Sequence, residues 1–170
     1  MKVIGIAGGS SLCELGPAAD VEFFFECIRS FAVPKMTLTE TSLLTDRFYK
    51  RYLREEEIEQ TSSAMRHLKE VFKAIPTSAI DLSGIGAATS VTRLDATSAN
   101  LLELFSKYFE CFEYCKESAE LFLTTWKILQ PIRLVIADTQ DFIEDKKRPL
   151  IQYDSLEGRP FWLRHVSPTR

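Results

Sequence analysis

The chain has 170 residues, of which 45% are hydrophobic and 11% aromatic, and its formal net charge is −3. That much apolar material fills one core, so a single domain over residues 1–166 is expected, followed by a flexible tail at 167–170. A mildly acidic chain without a basic stripe is poorly suited to direct nucleic-acid contact, and no apolar run reaches the length of a membrane span.

Residues 2–7 read as a buried strand, because Val3, Ile4 and Ile6 are β-branched and the pair Gly8-Gly9 ends the run. A strand entering Gly8-Gly9-Ser10 opens as a phosphate-binding loop does. Such a loop continues into Gly-Lys-Ser/Thr, whose lysine meets the phosphates and whose hydroxyl holds magnesium. Here the chain continues as Ser11-Leu12-Cys13-Glu14-Leu15-Gly16, with a glutamate where anionic phosphate would sit. A phosphate- or nucleotide-binding enzyme with a degenerate loop at Gly8-Gly9-Ser10 is therefore the alternative reading. The short apolar run behind Lys2 is too brief for a signal peptide, which points to the cytoplasm.

Asp20 is placed to cap a helix through Ala32, with Val21, Phe24, Phe25, Ile28 and Phe31 on one face and Pro34 ending it. Residues 37–45, rich in Thr and Leu, fit either strand or loop. The basic group Arg47, Lys50, Arg51 and Arg54 runs into Glu55, Glu56, Glu57 and Glu59, the pattern of a self-compensating solvated surface. Over 55–75, Ile58, Met65, Leu68, Phe72 and Ile75 mark an amphipathic helix with acids in its first turn. Residues 77–97 read as loop around a short strand. Ser98 starts a helix with Leu101, Leu104, Phe105, Tyr108, Phe112 and Cys115 on one stripe. A further segment over 118–129 turns Phe122, Trp126 and Leu129 inward, either as a second helix or as part of one long bent helix. Residues 132–137 are the best central strand, and 149–153 with 160–164 read as a hairpin beside it. Helices in the middle and strands at both ends indicate α+β: a small, mostly antiparallel sheet with helices packed on one face.

Chemistry-bearing residues are sparse. The four cysteines, Cys13, Cys27, Cys111 and Cys115, form no Cys-x-x-Cys pair and read as buried reduced thiols on helices. Cys111 and Cys115 have a ligand-like spacing, but no nearby histidine completes a metal set, so neither metal nor cofactor is expected. His67 and His165 are the only histidines, and neither sits in a nucleophile motif. Asp138, Asp141, Glu144 and Asp145 come after the central strand, where a catalytic carboxylate commonly sits, yet Lys146, Lys147 and Arg148 make this a solvated loop. No catalytic constellation can be filled, and the chain is not expected to be an enzyme.

Several stretches carry a resemblance in layout and texture along most of the chain. They are the strand opening into Gly8-Gly9-Ser10, the helix Asp20-Val21-Glu22-Phe23-Phe24-Phe25, the run Leu53-Arg54-Glu55-Glu56-Glu57 to Ala64-x-x-x-Leu68, and Asn100-Leu101-Leu102-Glu103-Leu104-Phe105-Ser106-Lys107-Tyr108-Phe109. Together they resemble small bacterial immunity proteins, the cytosolic antidotes of polymorphic toxin systems such as contact-dependent inhibition and type VI effectors. The resemblance implies an α+β protein without catalysis that binds the C-terminal domain of one cognate toxin. Many such toxins are basic nucleases. Complementary charge then nominates Asp138, Asp141, Glu144 and Asp145, and next Glu55, Glu56, Glu57 and Glu59, as the toxin-facing residues.

Overall fold

The computed structural model describes residues 3–9, 11–80, 98–125 and 133–139. Its strands are β1 (Val3–Gly8), β2 (Ser11–Pro17), β3 (Tyr52–Arg54) and β4 (Arg133–Asp138). Its α-helices are α1 (Ala18–Cys27), α2 (Leu38–Ser42), α3 (Glu55–Lys73), α4 (Leu101–Leu104) and α5 (Ser106–Thr125). The strands form one sheet in the order β2-β1-β4-β3, antiparallel throughout. The fold is α+β, as the distribution of apolar periodicities requires.

β4 lies inside the sheet, as its β-branched run demands. Its neighbours differ from those anticipated. Leu134 and Val135 are flanked by Gly8 and Ala7 of β1 on one side and by Leu53 and Tyr52 of β3 on the other. The expected hairpin strands, residues 149–153 and 160–164, lie outside the described residues. The strand β2 is a further correction. Gly8 at the end of β1 pairs with Ser11 at the start of β2, so the apparent phosphate loop is the tight turn of a β-hairpin.

Gly9 has φ of 58°, and a Cβ there would stand 2.7 Å from the Ser118 carbonyl oxygen; one on Gly8 would stand 2.7 Å from that of Cys115. The turn needs a left-handed residue and no side chain because α5 lies directly on it. Further along the same face the Cys115 thiol donates to Ile6 O at 3.1 Å, and the Ser11 and Ser118 hydroxyls bond at 2.7 Å. Cys13 and Cys111 are joined by a disulfide with their Cα atoms 5.5 Å apart. The expectation of four reduced thiols on helices is thus corrected: Cys13 sits on β2 and is bonded, while Cys27 and Cys115 are free and buried.

The core is aromatic. The ring of Phe24 on α1 lies within 6.0 Å of Phe72 on α3, 5.1 Å of Phe105, 4.6 Å of Tyr108 and 6.0 Å of Phe109. These pairs are tilted or edge-on, the arrangement that ring quadrupoles favour. All six positions predicted for the inward stripe of the second half, Leu101, Leu104, Phe105, Tyr108, Phe112 and Cys115, are buried.

Three helix boundaries depart from expectation. Pro17, not Asp20, precedes α1; Asp20 falls in its first turn and is buried. Residues 37–45 are helical, because Thr37 and Glu40 close a capping box around α2 before a π-helical turn, Leu43–Phe48. The break in the second half comes at Phe105, and α5 then runs unbroken past residue 118. Residues 126–129 and 81–97 lie outside the described residues.

Candidate functional site

The acids at the start of α3 have separate roles. Glu55 and Glu56 are exposed. Glu57 turns back: its two oxygens meet Arg47 Nε at 2.8 Å and Nη2 at 3.3 Å, and Oε2 also accepts the Arg54 backbone N–H at 2.9 Å. This bidentate pair closes the helix start and ties the Glu57 carboxylate to Arg47. Glu59, one turn on, is exposed and faces α5. It meets Lys116 Nζ at 3.1 Å and Arg66 Nη2 at 3.6 Å, and the Lys116 hydrogen bond holds its carboxyl below the usual range. Burial works against the charge on Lys116, but the hydrogen bond to Glu59 and the nearby Glu120 and Glu113 outweigh it and raise its pKa.

Lys116 therefore joins α3 to α5, and Ser62 adds a hydrogen bond to Glu113 at 3.3 Å. On the outward side of α5, Glu110, Tyr114, Glu117 and Leu121 recur at spacings of three and four, which puts them in one row. Besides Val33 and Leu38, the exposed large hydrophobics among the described residues are Tyr114, 56% exposed, and Leu121, 66%. Sequence reasoning missed both. The signal was available, because they fall outside the inward stripe and seven residues apart.

The other nominated acids are not part of this surface. Asp138 ends β4 opposite Ile4 and is 5% exposed, so it lies in the strand and not in the solvated loop expected for it. Its position is inside the sheet because the strand runs one residue further than its apolar letters. Asp141, Glu144 and Asp145 lie outside the described residues.

A second feature is a cleft of about 380 Å³ lined by Arg29, Val33, Leu38, Thr41, Ser42, Thr45, Asp46 and Lys50. Its charges are internally matched. Lys50 bonds Asp46 at 2.9 Å, while Arg29 bonds Glu26 at 3.1 Å and covers the Tyr49 ring at 4.6 Å. The Thr41 and Thr45 hydroxyls donate to backbone carbonyls of their own helix. Nothing in the cleft is poised as a nucleophile or base. His67 lies on the surface with Nδ1 3.0 Å from Glu40 Oε1, and no group of three or more metal-ligating side chains occurs among the described residues. No helix among them is long and apolar enough to cross a membrane.

Comparison of the chain with protein-family models, curated proteins and solved structures finds no match in any of the three.

Proposed function

We propose that this chain is an immunity protein that binds the C-terminal domain of a cognate toxin in the cytoplasm and neutralises it without turnover. The observation that carries the reading is the exposed acidic and aromatic character of α3 and α5: Glu55, Glu56 and Glu59 on the first and Glu110, Tyr114, Glu117 and Leu121 on the second are all exposed. Aromatic and aliphatic anchors within a carboxylate surround suit a basic protein partner: the anchors supply desolvated contact and the charges supply steering. The resemblance to immunity proteins names the class of that partner.

The alternative, a phosphate-binding enzyme using Gly8-Gly9-Ser10, draws less support. The glycines there lie against the backbone of α5, and the turn leads into strand β2, with no helix N-terminus aimed at it. Calorimetry with ATP, GTP and magnesium is expected to give no heat of binding, and micromolar binding would favour the alternative. The direct test is co-expression. Cells producing the toxin domain encoded beside this gene survive only when this chain is present, and the two proteins co-elute one to one. Survival without it, or failure to co-elute, would overturn the proposal.

A further inference from the structure

We propose that Cys13 and Cys111 form a redox-operated clasp, which fixes the edge strand β2 to α5 when oxidised and releases it when reduced. The inference goes beyond the toxin reading and does not depend on it. Within the described sheet β2 is an edge strand, laddered only to β1, and that ladder slips register between Ile4 and Gly5. Its side-chain ties to α5 are the hydrogen bond between Ser11 and Ser118 and the disulfide, which spans a sequence separation of 98. Breaking that covalent link leaves β2 held by its ladder to β1, the Ser11–Ser118 bond and the packing of Leu12 and Leu15, so this strand is the part that loosens. The aromatic contacts of Phe24 with Phe72, Phe105 and Phe109 do not pass through it.

The two sulfurs differ in access. Cys13 is half-buried, whereas Cys111 is 2% exposed, so of the two residues Cys13 is the more open to an incoming thiolate. The thiolate of a dithiol reductant attacks Cys13 Sγ; the Cys13–Cys111 bond breaks and Cys111 leaves with the electron pair and takes up a proton. The reductant's second thiol then displaces Cys13 as a thiol, and the reductant departs as its own disulfide. A low-molecular-weight disulfide reverses the sequence and is reduced to two thiols.

The reduced state has a place for its new proton. Cys111 Sγ lies 3.6 Å from Glu14 O, and one turn along the helix the Cys115 thiol already donates to Ile6 O at 3.1 Å. At 3.6 Å a thiol hydrogen bond to Glu14 O is a weak substitute for the covalent link, so β2 is held less tightly in the dithiol. Burial pushes the Cys115 thiol up to about 11 and Cys27 up to about 12, which keeps both protonated and out of the exchange at neutral pH.

The test uses the full chain treated with oxidised glutathione or with dithiothreitol. Peptide mass spectrometry of the oxidised protein is expected to show Cys13 linked to Cys111, with Cys27 and Cys115 alkylatable only after denaturation. Hydrogen exchange of the Ser11–Pro17 amides should rise about tenfold or more on reduction, that of Glu55–Lys73 should stay unchanged, and re-oxidation should restore the first pattern. Cys13→Ser in oxidised glutathione should match the reduced wild type. Linkage of other cysteines, equal exchange of β2 in both states, or loss of protection across α3 on reduction would each overturn the clasp. The last outcome would make the bond a staple of the whole fold.

Discussion

Single residues in this protein act mainly through what their polar atoms find when buried. The Tyr108 hydroxyl is buried without a hydrogen-bond partner among the described residues, and burial, together with the charge of Asp20, raises its pKa. Removing that oxygen leaves the ring stack on Phe24 intact. Tyr108→Phe is therefore expected to stabilise the protein by about 1 kcal/mol in a urea titration, and a loss of that size would show the hydroxyl to be satisfied. Glu40 makes the opposite case. Its carboxyl is held below the usual range by the Thr37 backbone N–H, with help from His67 and the Thr37 hydroxyl. A depressed folded-state pKa contributes stability that is present above the unfolded value of about 4.3 and is lost as pH falls through the folded value. Glu40→Gln should accordingly cost about 0.5–1 kcal/mol at pH 7, with the gap to wild type closing as pH drops below about 4. A gap independent of pH would remove the carboxylate from the explanation. Gly9 is limited by space as well as conformation, since φ is 58° and the Ser118 oxygen stands where a Cβ would lie. Gly9→Ala should cost about 1–3 kcal/mol, read from the same urea titration.

At the scale of elements the central strand is the most sensitive part. Val135 is 4% exposed between β1 and β3, so Val135→Asp buries a carboxylate at a cost of several kcal/mol against a total stability of about 5–15 kcal/mol. Loss of cooperative unfolding by circular dichroism is the expected result, and a folded variant would contradict the packing of β4. This strand and α3 were legible because each carries a single strong signal: a β-branched run in one, and a period of 3.6 with an acidic first turn in the other. β2 was not, because Leu12-Cys13-Glu14-Leu15 is short and the turn before it shares letters with a phosphate loop. α2 was hidden by Thr and Leu, which suit strands, although Thr37 and Glu40 spell a capping box. The pairing of Cys13 with Cys111 joins distant segments, and spacing alone does not specify connectivity.

For the whole molecule, sequence reasoning nominated acidic residues for a partner surface, and the fold exposes only some of those that are described. Glu55, Glu56 and Glu59 are outward, as a charged first turn suggests. Glu57 is taken by Arg47 and Asp138 by the sheet, choices made by tertiary packing that a charge pattern does not report. The consequence for association can be separated from folding, because exposed charges steer encounter while contributing little to stability. Reversing Glu55 and Glu56 to Lys leaves Glu57 and the Lys116 bridge intact, so the protein should stay folded with only a modest fall in melting temperature from the lost acids at the N-terminus of α3. Against a basic toxin domain the association rate should fall about tenfold at low salt, and the difference should shrink as ionic strength rises and the Debye length shortens. Tyr114→Ala removes a 56% exposed anchor and should instead speed dissociation, with association almost unchanged. If neither variant alters binding to a toxin that the wild type neutralises, the antidote reading survives but its contact surface lies elsewhere than α3 and α5.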